Sequence, residues 1–281
     1  MSVLNNETLK KIQQIETDML KDFISVCEKL KLNYFLLGGT MLGAVRHQGF
    51  IPWDDDIDIG MLRKDYETFL SAAPALLPSH LFLQTNVSDP AWYANFSKIR
   101  HNNTTFIETS SAHLPIHHGV YIDIFPLDDY PESKIKQKVF SFKNRWYTKK
   151  IYSAFALNEE DSAKTAKGSI LNIFYKLTGL TVEKAVQKRE KLFKKEKNSS
   201  LVANHCGAWG KKEIMPKEWY RESCQLSFEG VPATVPKDYD KWLTQVYGDY
   251  MQLPPEEKRV THHFTETIDL DSPYTVYTMK G

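Results

Sequence analysis

LLGGTMLGAVRHQGFIPWDDDIDIG, residues 36–60, is the stretch on which the reading of the fold turns. The short apolar run from Tyr34 to Leu37 stops at Gly38-Gly39 and reads as a buried strand. Thr40 is placed to cap a short helix that runs to about His47. Further on, Ile57, Ile59 and Met61 alternate with Asp56, Asp58 and Gly60, the period of two of a strand with one face in the core. Residues two apart on a strand point the same way, so Asp56 and Asp58 project together. Carboxylates held like this repel each other unless a cation lies between them. A hard, oxygen-seeking ion, Mg²⁺ or Mn²⁺, suits the pair. The glycine turn complements them: glycines after a strand let the backbone approach a phosphate closely, and a following helix N-terminus favours negative charge. Gly38, Gly39 and Thr40 are therefore candidate phosphate-binding residues. A glycine turn followed within 20 residues by Asp-x-Asp on a strand is the arrangement that a phosphate-transferring metal site needs.

Outward from this stretch, Leu9, Ile12, Ile15, Met19, Phe23, Val26 and Leu30 recur at three- and four-residue steps, which predicts an amphipathic helix over residues 8–31. A helix is expected from Lys64 to Ala73, closed by Pro74. Strands are expected at 81–85, 94–100, 104–107 and 119–124, the last ended by Pro126. Asp123 is an isolated acid within that last strand, costly to bury without a partner. It has two readings: a cap for the next turn, or a third carboxylate beside Asp56 and Asp58. Past Pro131 helices are expected over 134–156 and 182–197, with the apolar GSILNIFYKLTGL (168–180) between them. Residues 201–281, rich in Trp, Tyr and Pro, read as an irregular cap. The simplest architecture is α+β: a core of mixed sheet and flanking helices over 1–130, a helical insertion over 131–200, and a C-terminal part over 201–281.

Composition narrows the function. With 42% hydrophobic and 25% charged residues the chain reads as a soluble globular protein, not as a disordered or fibrous one. No window approaches 18 uncharged apolar residues, and the polar N-terminus lacks a signal core, so a cytoplasmic protein is expected. Three scattered cysteines support neither a disulfide framework nor a zinc ribbon. The formal net charge of +1 excludes a uniformly basic nucleic-acid binder. The charge is uneven, however: residues 131–200 hold 17 Lys and Arg against 7 Asp and Glu. That segment is either a solvated helical face or a surface for something anionic, such as phospholipid headgroups or RNA.

Several other side chains are candidates. Lys98 and Arg100 flank Ile99 on a strand, so both can face phosphates, and Arg46 is a third cation near the acids. Each has surface ion pairing as its ordinary alternative. Near the C-terminus Arg259 and His262 stand three apart, so a helix would bring them to one face, with His263 beside them. They can bind phosphate or a sugar, or pack in a turn against aromatic rings. Trp53, Trp92 and Tyr93 offer a stacking surface for a base or a box for a quaternary ammonium, with core packing as the alternative. A zinc hydrolase built from His113, His117, His118, His262 and His263 is disfavoured, because adjacent histidines on a strand do not readily share a metal and no His-Glu-x-x-His is present. A non-catalytic membrane or RNA adaptor, built on the basic segment, is a third function class.

Four stretches, GGTMLGAVRHQGFIPWDDDIDIGM (38–61), KIRHNNTTF (98–106), GVYIDIFPLD (119–128) and YGDYMQLPPEEKRVTHH (247–263), resemble the LicD family of phosphocholine transferases. The resemblance implies a nucleotidyltransferase-like core, shared with the fukutin-related transferases and distantly with DNA polymerase beta, whose active site the C-terminal part completes. It implies metal-dependent transfer of phosphocholine, or of glycerol- or ribitol-phosphate, from a CDP-linked donor to a sugar hydroxyl, releasing CMP. The implied acceptors are lipid-linked glycan precursors of the teichoic acid or lipopolysaccharide type. By the same resemblance Asp56 and Asp58 match the metal-binding Asp-x-Asp, Asp123 the third acid, and Gly38, Gly39 and Thr40 the phosphate-side turn. CDP-choline, Mg²⁺ (or Mn²⁺) and a peripheral position at the inner face of a membrane are the expected donor, cofactor and location, with no nucleic-acid partner. Nucleotidyl transfer on the same site is the nearest alternative chemistry.

Overall fold

The computed structural model describes residues 5–154, 175, 177–261 and 263–278. Helix α1 (Asn6–Leu30) opens with Asn5, whose side chain accepts from the Thr8 N–H, and ends at Lys31 in the left-handed conformation. Leu9, Ile12, Met19, Phe23 and Val26 of the predicted stripe are buried, Leu20 joins them, and Ile15 and Leu30 are half-buried. The central sheet runs in the order β1 (Phe35–Leu36), β2 (Asp58–Leu62), β6 (Tyr121–Tyr130), β4 (Ser97–His101) and β3 (Leu81–Gln84). Strands β2 and β6 are parallel and the other pairs antiparallel, so the sheet is mixed. Helices α2 (Gly38–His47) and α3 (Arg63–Ala72) lie before and after β2. The architecture is α+β, as expected.

Three local expectations change. Helix α2 begins at Gly38, with Leu37 as its N-cap and no side-chain cap, so Thr40 lies in the first turn. The reason is tertiary: the Thr40 hydroxyl is taken as an acceptor by the Asp58 N–H at 2.8 Å. Pro126 does not end its strand, since β6 continues to Tyr130. The Asp123 N–H donates to Ile57 O, so by alternation the nitrogen at 126 faces away from β2. On that side the neighbour changes, from β4, paired as far as Ile124, to β7 (Leu201–Asn204), paired from Leu127 onward. Proline occupies the gap, where no ladder donor is required. Nor are residues 201–281 irregular: β7 and β8 (Ile214–Pro216) extend the central sheet beside β6.

Within 131–200, helices α4 (Lys134–Tyr152) and α5 (Val182–Phe193) lie close to the predicted positions, each ending four residues early. They pack through Phe140 and Phe193 onto Tyr130 and Ala203, and through Ile151 onto Tyr175, Leu180, Ala185 and Val186. Most of the apolar stretch 168–180 lies outside the described residues. The hairpin β9 (Ser223–Phe228) and β10 (Val231–Pro236) turns at Glu229-Gly230, both at positive φ. Glu229 accepts the Phe50 N–H at 3.0 Å, which fixes the entry to the aspartate loop. Helix α6 (Tyr239–Tyr247) buries Trp242, Leu243 and Val246 in the main core. The last strand, β11 (Thr265–Asp269), pairs with β5 (Thr105–Glu108) and brings the C-terminal chain back to the acidic end of the sheet. Among the described residues no helix is long and apolar enough to cross a membrane.

Candidate active site

The site forms where β1 hands the chain to α2. Gly38 sits at φ +52, a conformation that costs glycine little. The Leu37 N–H donates to Asp58 O at 2.9 Å, which locks the turn to the first residue of β2. A Cβ at Gly38 would lie 2.9 Å from Asp58 Oδ2, and one at Gly39 would lie 2.5 Å from Asp54 Oδ2. Both glycines therefore make room for carboxylates, and the first-turn amides of α2 have no side-chain cap to occupy them.

Register places the next groups. The parallel pairing of β2 and β6 sets Asp58 opposite Asp123, and the antiparallel pairing of β4 and β6 sets Lys98 opposite Asp123 from the other side. Lys98 Nζ lies 2.9 Å from Asp123 Oδ1 and 3.2 Å from Oδ2, with hydrogen-bond geometry only to Oδ2. The ammonium also sits 3.2 Å from the centroid of the Tyr121 ring. Before β2, Asp54, Asp55 and Asp56 each bring one oxygen within 4.8 Å of the other two. Asp58 and Asp123 stand outside that tight group, and Asp54 and Asp55 join Asp56 as candidates beside the three acids expected from the sequence.

Two further residues reach the acids from distant segments. Glu16 on α1 is buried beneath them, with Oε2 unpartnered. Its one sequence signal is an acid inside the apolar stripe, four residues after Ile12. His263 Nδ1 lies 3.1 Å from Asp55 Oδ1, and the other Asp55 oxygen has no partner.

Six carboxyls thus face two cations, Lys98 and His263. Desolvation and then repulsion from Asp56 and Asp123 push the Asp58 carboxyl well above its ordinary range. Asp54 is raised well above it by desolvation, Asp56 and Asp55, and Glu16 by desolvation and the same aspartates. Asp56 is raised by desolvation although His263 opposes it, and Asp123 is raised by desolvation although Lys98 opposes it. Burial pulls His263 down, but the bond from Asp55 and the charges of Asp56, Asp55 and Glu108 carry it up to about 9. Crowded carboxyls that resist ionising, unpartnered buried oxygens on Asp55 and Glu16, and an all-oxygen donor set fit a hard divalent cation.

The remaining candidates are placed differently. Arg46 spends Nη1 on the carbonyls of Tyr250 (2.7 Å) and Gln252 (3.3 Å), so it anchors that loop. Arg100 is fully buried against Gln84 and Gly119 O. Arg259 Nε donates to Pro254 O, and its guanidinium lies over Trp53. The helical turn there covers only Glu256–Lys258, so no helix aligns Arg259 with residue 262, and His262 itself lies outside the described residues. Trp92 is buried, edge-on to Phe96, and Tyr93 packs with Trp146 and Tyr147 by the α4–α5 core, so these rings do not join Trp53 in a box. The ring nitrogens of His113, His117 and His118 bond to Ala154 O, Asn102, the Gly119 N–H and Leu114 O, an arrangement without metal geometry.

The aromatic pair nearest the glycine turn is Tyr247, whose hydroxyl is 3.9 Å from a Gly38 Cβ position, and the exposed Trp209, edge-on to it at 5.0 Å. Beneath Trp209 lies Glu213, raised to about 7 by burial although the Trp209 N–H bonds to it at 2.9 Å. Folding prefers its protonated form, so its stability contribution is fully present below the unfolded glutamate value and is lost as pH rises through 7. Glu213→Gln is expected to melt a few degrees above the parent at pH 8 and to converge on it near pH 4. Parallel melting curves that never separate at high pH would sink this.

A family model described as LicD/FKTN/FKRP, nucleotidyltransferase domain, matches residues 31–158. The lipopolysaccharide cholinephosphotransferase LicD of Haemophilus influenzae is 33% identical over 94% of this chain and 98% of its own. An uncharacterised protein of Rickettsia prowazekii is 35% identical over 41% of this chain and 39% of its own. The human ribitol 5-phosphate transferase FKRP is 45% identical over 15% of this chain and 8% of its own.

Proposed function

The chain belongs to the LicD/FKTN/FKRP family of transferases, and on that premise we propose that it transfers phosphocholine from CDP-choline to a sugar hydroxyl of a lipopolysaccharide-type glycan precursor. The observation that carries this is the likeness to a lipopolysaccharide cholinephosphotransferase across nearly the whole of both chains. The Gly38 turn facing the Asp58 and Asp123 strands supports the same chemistry. In this reading the acceptor oxygen attacks the phosphorus that bears choline, the bond to the CMP oxygen breaks, and CMP leaves. Asp123, opposite Lys98, accepts the hydroxyl proton. The free amides at the start of α2 hold the donor phosphates. Asp56, Asp58 and Asp123, with Asp54 and Asp55 beside them, would hold Mg²⁺ or Mn²⁺, which when bound neutralises charge on the pyrophosphate. The exposed Trp209 beside Tyr247 offers a stacking face for the donor. A glycan acceptor carried on lipid places the enzyme at a membrane surface.

The test is CMP release from CDP-choline in Mg²⁺ with a glycan acceptor, beside the same reaction in chelator. Metal-dependent CMP with a phosphocholine-bearing product is expected. CMP from CDP-ribitol or CDP-glycerol but not from CDP-choline would replace the head group, and a nucleotidylated acceptor would replace the reaction. Silence with every donor would leave the binding-protein reading.

A further inference from the structure

Helix α4 has two apolar faces. One is the inward face described above, which buries Phe140 and Ile151. The other carries Ile135, Val139 and Phe142, at steps of four and three, which are 76%, 49% and 71% exposed. A helix that is apolar on a second, solvent-facing stripe has a use for it. The charges beside the stripe say for what. Helix α4 contains seven Lys and Arg and no Asp or Glu. At 100° per residue, Lys136, Lys143 and Lys150 fall on one flank of the stripe, and Lys134, Lys138, Arg145 and Lys149 on the other. A groove of about 280 Å³ runs alongside, between the stripe and α5, edged by Lys143, Lys195 and Lys136, the last paired with Glu196 at 3.0 Å. Lys194, just past α5, is likewise paired, with Glu67 and Glu190, so the exposed cations that count beside the stripe are Lys138, Lys143, Arg145 and Lys149 of α4.

We propose that this outer face of α4 docks on an anionic lipid bilayer, with Ile135, Val139 and Phe142 entering the headgroup–acyl boundary and the flanking lysines meeting lipid phosphates. An apolar ridge bordered on both sides by cations is the geometry of a helix lying in a membrane interface. A nucleic acid would use the cations and leave the aliphatic ridge in water, and a second copy of the face would repel the first. The proposal deepens the reading of a lipid-borne acceptor, but its support is the surface of α4, so it stands whichever head group the active site transfers.

The experiment is co-sedimentation of the full chain with vesicles of phosphatidylcholine alone or with one-third phosphatidylglycerol, without any donor. Binding is expected only to the anionic vesicles and is expected to weaken with salt. I135S/V139S/F142S should weaken it by about tenfold or more through lost apolar insertion. K138E/K143E/R145E/K149E should weaken it by about 100-fold or more. All seven side chains are exposed, and unchanged circular dichroism together with unchanged CMP release in detergent would show that fold and site are intact. Equal binding to neutral vesicles, or anionic binding that survives either set, overturns the proposal. Preferential binding to a duplex RNA that survives the serine set would assign the face to nucleic acid, and self-association that the serine set abolishes would assign it to a second copy.

Discussion

Asp58→Asn is expected to lower CMP release by about 100- to 1,000-fold while raising the melting temperature of the metal-free protein at neutral pH. Both effects come from one placement. Asp58 begins β2 opposite Asp123, where desolvation raises its carboxyl most and repulsion from Asp56, Asp123 and Asp54 adds to it. The folded chain prefers Asp58 protonated, whereas the unfolded chain ionises it from about pH 4. The stabilising contribution of the neutral form is therefore full below that pH and is lost as pH rises through the raised folded value. At pH 7 in chelator the native protein carries a penalty that asparagine does not. A divalent ion reverses the sign by giving the carboxylates a shared partner, so Mg²⁺ should raise the melting temperature of the native chain more than that of the variant. The measurements are CMP release and thermal melts at pH 5 and 7, with chelator and with Mg²⁺. Activity within tenfold of the parent, or a variant that melts lower in chelator at pH 7, would count against both the role and the electrostatic account.

Arg100→Met is expected to cost about 3–5 kcal/mol of stability, because it removes one member of a buried charge network. The guanidinium has no exposure, donates to Gln84 Oε1 at 2.8 Å and Gly119 O at 2.9 Å, and lies over the Tyr121 ring at 4.6 Å. Its Nη2 stands 4.0 Å from Glu108 Oε2. Burial alone would raise Glu108, yet Lys98 and Arg100 hold it below the ordinary glutamate range. Methionine fills the volume but leaves that carboxylate and the Gly119 carbonyl short of a partner. Arg100→Lys keeps the charge, loses the forked donors and should fall between the two. Urea denaturation reads the order directly. A methionine variant that loses less than an exposed ion pair is worth, about 1 kcal/mol, would mean that Arg100 is not structural.

These two residues mark where local pattern stops being informative. Alternation places Lys98 and Arg100 on one face of β4, and the sequence offers no reason to separate them. The register of β4 on β6 does: it sets Lys98 opposite Asp123 and Arg100 opposite Tyr121. One cation thereby joins the acidic cluster, and the other is sealed farther along the same face, against Tyr121, Gln84 and Gly119 O.

What the sequence determined by itself is whatever depends on neighbours along the chain. The apolar steps of α1, the alternation from Ile57 to Met61 and the glycine break at Gly38 follow from helical and strand periods and from backbone freedom, all of which are local. The likeness at 38–61 and 247–263 pointed to the family for a similar reason, since motif residues are recognisable without knowing what they touch. Tertiary structure decided which groups meet. Glu16 reaches the aspartates from α1, and His263 reaches Asp55 across 208 positions. Thr40 gives its hydroxyl to β2 rather than to a helix cap. Pro126 stays within a strand because the neighbour on its donor-free side changes there. Each depends on strand register or helix docking, which many weak contacts fix together and no single window of sequence encodes.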